Sequence, residues 1–487
     1  VLTVDPSSMA PAKPQANGLS AEIRALLLLA GPLVLGNLAQ MAIHTTEVII
    51  LGRYDVQALA AAALAVNLYF ACGTFGMGLM TAASPMIAAE RGRRKHSVRD
   101  IRRTVRQGMW VALTVCLPIW AVLWNAERLF LLMGQQPDLA RDAGQFMRIA
   151  MWGLLPWLLQ FVLRMYVSAL ERPIWGVFVT LCGVAMNLVA CWALVFGNLG
   201  FPELGLKGAA IANLLANCTL FAVMALVVTQ VRAFRRYRLF GRFWVADWGR
   251  YRALFKLGLP IGVTFAFEVA IFSSAAFLMG LISRDSLAAH AVAIQIASFA
   301  FMVPFSLSQA ATVRVGLHHG ARDAAAAARA GWAALGLGVL AACVMSATMA
   351  SIPHALVALF IDPQDASAAP AFALALSFLL VAAIFQLVDA VQAVGAGVLR
   401  GLQDTRWPML FAAFGYWVGH GHRLVLRLPP RLGRCRRMDR AGGRAGGRVG
   451  SDGRPLGVPA AFRAGGLRLT PGLARRLRGS GQTDRGQ

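Results

Sequence analysis

Eleven stretches of this chain are apolar enough to cross a bilayer as helices, and nothing constrains its fold more. A bilayer core needs about 20 such residues per helix. The stretches lie near residues 25–52, 58–89, 107–133, 144–170, 174–198 and 206–231, then 254–282, 287–316, 327–352, 370–400 and 405–418, the last cut short. In lipid every backbone N–H and C=O must be bonded within the protein, which leaves helices or closed barrels. The alternating pattern of barrel strands is absent, so the predicted fold class is an all-α polytopic membrane protein. A chain with 58% hydrophobic and 14% charged residues could not keep a soluble surface wet.

The net charge of +25 would suggest nucleic acid in a soluble protein. Here its distribution points instead to loops on one side of a membrane, and no nucleic-acid partner is expected. The connection from Arg91 to Arg106 and the one from Arg232 to Lys256 are both strongly basic and belong in the cytoplasm. Counting spans from them puts the N-terminus inside and the acidic loops around Asp138, Glu203 and Asp362 outside. The polar start reads as carrying no cleaved signal peptide, so the first apolar run is expected to stay as an anchor.

Several chemistries find no support. The seven cysteines are scattered without a CxxC pair or a Cys/His cluster at metal-ligand spacing. None of Lys13, Lys95, Lys207 and Lys256 sits in a phosphate-cradling loop. No nucleophile and base pair marks an intramembrane enzyme, so no catalytic residue and no cofactor are expected. If the protein moves a solute uphill, an ion gradient must drive it.

The chain also repeats itself. A shift of 228 residues aligns Pro32 with Pro260, Gln40 with Glu268, Leu59-Ala60-Ala61 with Leu287-Ala288-Ala289 and Gly92 with Gly320, without a gap. Two parallel halves of six helices follow, related by an axis along the membrane normal. Their expected limits are a cytoplasmic segment 1–21, a first lobe 22–232, a basic cytoplasmic linker 233–253, a second lobe 254–418 and a tail 419–487.

Glu268 and Asp389 each lie in the middle of an apolar stretch, where a charge is expensive and marks a site by default. Gln40 stands where Glu268 does, and at a shift of 229 Gln160 stands where Asp389 does, which concentrates ion chemistry in the second half. Pro260, two turns before Glu268, allows a bend near the acid. Gln386 and Gln392 flank Asp389 at three residues on either side. Acid with amides is an oxygen-rich setting that suits Na⁺, or a proton if burial neutralises the carboxylate. A protonated acid bonding one helix to another is the plainer alternative. Glu47, near the outer end of the first span with His44 beside it, reads either as an accessory site or as an interfacial acid. Phe265, Phe267, Phe272, Phe385, Tyr416 and Trp417 could line an apolar cavity with cation-binding faces, or pack against lipid.

The stretches LAGPLVLGNLAQ (Leu29 to Gln40), FEVAIF around Glu268, SLAAHAVAIQIASFAFMVPFSLSQAATVRVG (Ser286 to Gly316), FPELGLKGAAIAN (Phe201 to Asn213) and VDAVQAVGAGVLRGLQDTR (Val388 to Arg406) resemble the multidrug and toxic compound extrusion (MATE) family in its NorM-like bacterial branch. The resemblance spans residues 22 to about 418. It implies a two-lobe bundle of 6+6 helices in a bacterial inner membrane that exports organic cations against inward Na⁺ or H⁺. On that resemblance Glu268 and Asp389 match the family's cation-binding acids, and Glu47 takes a first-helix position usually held by Asp. Phe385 stands where sodium-type members commonly place a tyrosine. The expected partners are the bilayer and small organic cations, and the expected state is a monomer. A lipid-linked glycan flippase of the same superfamily is the nearest rival, although the mid-span charges here are acidic rather than basic.

From about Val418 the apolar pattern gives way to an Arg- and Gly-rich tail without lysine, where the family continues its eleventh helix and adds a twelfth. The last one to two helices therefore read as missing or replaced, either by a reading-frame shift or by a basic tail suited to anionic lipid. An inactive transporter is the corresponding alternative for function.

Overall fold

The computed structural model describes residues 18–93, 97–241, 243–363 and 368–415. Among them ten helices are long and apolar enough to cross a membrane: α1 (Leu19–Tyr54), α2 (Gln57–Arg93), α3 (Ser97–Trp124), α4 (Pro137–Ala169), α5 (Ile174–Phe196), α6 (Gly205–Gln230), α7 (Trp248–Ala276), α8 (Arg284–Gly320), α9 (Ala324–Ser351) and α10 (Ala369–Gly401). Another helix starts at 406 and is followed to 415. The readings made of Tyr416, Trp417 and the 419–487 tail lie outside the described residues.

The helices start earlier than hydropathy alone predicts. α3 begins at Ser97, ten residues before its apolar run, and α7 begins at Trp248 inside the predicted linker. Charge ends an apolar window but does not end a helix, because arginine is a good helix former and its long stem can lie along apolar neighbours. The basic connection after α2 is thus mostly helix ends.

The linker before α7 is equally well structured. After a short helix, Arg232–Arg235, it forms a strap along α3: Arg106 Nη1 donates to the Gly241 carbonyl at 3.1 Å, and Trp110 Nε1 to the Phe243 carbonyl at 3.2 Å. The Trp110 and Phe243 rings stack at 5.6 Å. Arg250, in the first turn of α7, is pinned by Glu90, Asp100 and Asp247.

The repeat seen in the sequence returns in space. Asp55 caps α2 by accepting from Ala58 N at 2.8 Å, and Ser283, 228 positions on, caps α8 by accepting from Ser286 N at 3.0 Å. Between the halves α1 packs on α8, and α7 packs on α2, the same pairing with the halves exchanged. Glycines make that approach close. A Cβ on Gly78 would lie 2.6 Å from the Gly262 Cα. Near the basic ends of α2 and α8, Gly92 sits against the Leu317 carbonyl and Gly320 against the Ala89 carbonyl, with no room for a side chain at either. Small residues allow such backbone contact between membrane helices.

Candidate functional site

α7, α8, α10 and the helix starting at 406 line a cavity of about 330 Å³ in the second half. Glu268 and Asp389 both line it, together with Thr264, Phe265, Ser308 and Gln392. Helical spacing explains the choice. Ile261, Thr264 and Phe265 are buried, and Glu268 continues that i, i+3, i+4, i+7 stripe. On α10, Asp389, Gln392, Ala393 and Ala396 follow one another on one face. α8 closes the wall by hydrogen bonds into the α10 backbone, Ser308 Oγ to the Ala393 carbonyl at 2.6 Å and Thr312 Oγ1 to the Gly397 carbonyl at 2.8 Å.

The cavity also holds a cation that the sequence analysis did not single out. Arg400 lines it, is 7% exposed, and places its guanidinium carbon 5.2 Å from the centre of the Phe265 ring. Its charge attracts the Glu268 carboxylate while Asp389 repels it. The signal was available in the spacing: 11 residues from Asp389 is close to three helical turns, so both belong to one face.

Other candidates fall elsewhere. Phe267 does not line the cavity, because one residue from Glu268 is a rotation of about 100° around the helix, whereas Phe265 shares the acid's face. Phe385 is 50% exposed, on a stripe of α10 with Val381, Ile384 and Val388, and does not line the cavity. Phe272 is likewise exposed. Gln392 is in the cavity. Gln386 and Gln160 are buried, each with an amide nitrogen lacking a partner among the described residues. Gln40 is half-buried and outside the cavity.

The first half builds a second acidic site. Glu47 is 4% exposed, inside the bundle rather than at an interface. Its Oε1 accepts from Asn187 Nδ2 on α5 at 3.1 Å and from Asn213 Nδ2 on α6 at 2.7 Å. Asn217 Nδ2 in turn donates to Asn213 Oδ1 at 2.9 Å, and His44 Nδ1 lies 4.0 Å from Glu47 Oε2. Neither Asn187 nor Asn213 was singled out from sequence, since an asparagine in an apolar helix has no spacing signature of its own. Replacing Glu47 with Ala leaves two buried amide donors unpaired, at a cost of about 1–3 kcal/mol for each. Glu47→Gln keeps an acceptor and is expected to lose much less, which thermal melting of the purified variants would read.

At the basic end an ion cluster joins the halves. Arg314 of α8 holds Glu22 of α1 through two nitrogens, at 3.1 and 2.7 Å, and reaches Glu171 after α4 at 2.6 Å. Arg91 of α2 meets the other Glu171 oxygen at 2.7 Å, and His318 Nε2 lies 2.9 Å from Glu22. Burial pushes the Glu171 carboxyl up, but Arg91 and Arg314 outweigh it and hold the group below the usual carboxylate range. Because its folded value is depressed, its contribution is complete above the ordinary glutamate range and is lost as pH falls through the lowered value. Glu171→Gln should remove that acid-sensitive part of the stability, seen as a flatter melting temperature against pH on the acid side.

A two-fold repeat of membrane helices with carboxylates inside the spans defines a polytopic helical membrane protein with duplicated halves. The signature of the MatE family matches residues 32–193 and 260–420, starting on Pro32 and Pro260, the register of the internal repeat. The chain belongs to the MatE family. It is 54% identical over 396 residues to a probable multidrug resistance protein NorM of Mesorhizobium japonicum, covering 81% of this chain and 85% of that protein. A probable NorM of Brucella suis is 45% identical over 415 residues, covering 85% and 88%. Among solved structures, the fold matches the eukaryotic MATE transporter AtDTX14 with a TM-score of 0.71 at 19% identity, covering 84% of this chain and 97% of that one. It matches an outward-facing multidrug resistance MATE family transporter with a TM-score of 0.73 at 18% identity, covering 83% and 89%.

Proposed function

We propose that this protein is a secondary active antiporter of a bacterial inner membrane, which exports organic cations from the cytoplasm in exchange for Na⁺ or H⁺. The observation that carries this reading is the cavity between α7, α8 and α10 that Glu268 and Asp389 both line. Two acids set together between membrane helices bind a monovalent cation or a proton, and they release it when the helices repack. Relatives named as probable multidrug resistance proteins support export of drug-like solutes, and the acidic lining of the cavity favours cationic ones among them. The chain acts as a monomer with its N-terminus in the cytoplasm, and its acids rather than any cofactor hold the coupling ion.

In this mechanism the coupling ion favours one arrangement of the two halves and the exported cation favours the other. Transport follows only from that difference in affinity. The Glu47 site, with its amide shell, is a further acidic site on the opposite half that the same repacking would disturb. Ethidium efflux from energised membrane vesicles carrying the full chain tests the proposal, with the Na⁺ and H⁺ gradients collapsed separately. Loss of efflux with one gradient names the coupling ion, and efflux indifferent to both gradients refutes antiport.

A further inference from the structure

Glu268, Asp389 and Arg400 are the charged side chains that line the second-half cavity among the described residues. The other walls are uncharged: α7 and α8 contribute hydroxyls and rings, and the helix starting at 406 adds Pro408 and Phe411. Arg400 comes from the same face of α10 as Asp389 and is nearly sealed from solvent. Its guanidinium rests over the Phe265 ring, and its Nε has no hydrogen-bond partner among the described residues. The charge is therefore held in the cavity by a ring face, which attracts a cation without consuming its donors.

An uncompensated ion set between membrane helices is costly, so occupancy of the cavity follows its net charge. Two carboxylates against one guanidinium leave a single negative charge to balance. We propose that Arg400 is the resident counter-cation of this cavity: it permanently balances one of the two carboxylates, so that the site takes up one monovalent coupling cation per chain and not two. The proposal rests on the ion-coupled reading given above. Phe265 gives the guanidinium a place to stay when an incoming cation occupies the acids, so Arg400 need not leave the cavity during exchange. Arg400 is thus a positioning residue that sets how many cations the acids accept, without itself touching the exported solute.

The charge balance makes predictions that a purely structural arginine does not. Cation uptake is measured on the purified full chain in detergent, as sodium-22 binding at alkaline pH and, in parallel, as protons taken up from weakly buffered solution on acidification. Uptake by each variant is expressed per chain and compared with wild type, and monodisperse elution verifies folding. Wild type should take up one cation by whichever ion couples. Asp389→Asn should lose that uptake, since the remaining acid is already balanced, and Arg400→Gln should double it. Arg400→Lys should behave as wild type. The double variant Arg400→Gln with Asp389→Asn should regain the single cation that Asp389→Asn alone has lost, and because it restores the balance it also serves where Arg400→Gln alone does not fold.

Unchanged uptake in Arg400→Gln, or no recovery in the double variant, would overturn the role given to Arg400. Two cations per wild-type chain would overturn it as well, while leaving antiport standing. No uptake of either ion by the wild type would sink the ion-coupled reading itself, and this assignment with it.

Discussion

Asp389→Asn should reduce ethidium efflux to the level of membranes that lack the protein, while the variant still inserts and elutes as a single species. The substitution keeps the shape of the side chain and one of its acceptors, so packing against α8 and the rest of α10 is preserved. It removes the charge that distinguishes an occupied site from an empty one. A ligand that no longer binds the two arrangements differently cannot shift their equilibrium, however much of it is present. Transport should therefore fail completely rather than weaken in proportion. Glu268→Gln should behave alike, because both acids line the same cavity and act on each other. Efflux that persists in either variant would remove that residue from the coupling site.

The second large effect is expected at the crossing of α2 and α8. Gly320→Leu places a side chain against the Ala89 backbone, where even a Cβ has no room. The obstacle is a carbonyl on a packed helix rather than the movable end of a side chain. Overfilling a packed site costs about 1–3 kcal/mol where neighbours can shift, and here two whole helices must separate. A marked fall in melting temperature and loss of the monodisperse species are expected, and Gly92→Leu should do the same from the other side. Gly336→Ala on α9 is the control. A Cβ there meets nothing within 4 Å, and alanine should stabilise the helix by about 0.5–1 kcal/mol through its lower conformational freedom when unfolded. Equal effects of Gly320→Leu and Gly336→Ala on melting would rule out the tight crossing.

The spans were legible because the bilayer enforces long apolar runs, and the repeat because prolines, glycines and an LAA run recur at a fixed shift of 228 residues. Helix ends were less legible: Ser97 and Trp248 open helices inside basic sequence, where hydropathy reads a loop. Glu268 and Asp389 stood out because a mid-span acid is rare, and the cavity brings them together. The rings were harder. Phe265 and Phe267 differ by two positions in the same apolar run, and only the phase of the helix relative to its neighbours separates the one facing the acids from the other. Asn187 and Asn213 became visible only when α5 and α6 brought them to Glu47, a contact between residues 140 and 166 positions away from it. Arg400 was quoted in a motif without a role, because an arginine near the end of an apolar stretch reads equally well as an anchor at the membrane surface.

The crossing of α2 and α8 has a consequence for how such a chain can diverge. Gly92 meets Leu317, and Gly320 meets Ala89; each pair becomes the other when 228 is added to one member and subtracted from its partner. That reciprocity is the geometry of an isologous dimer interface, carried inside one polypeptide. In a dimer of identical chains every substitution is entered twice, once on each side of the axis, and an acid introduced into one bundle would recur in the interior of the other. A fused chain enters each substitution once. The two halves can then keep a shared frame while their interiors part company, amides at Gln40 and Gln160 on one side and carboxylates at Glu268 and Asp389 on the other.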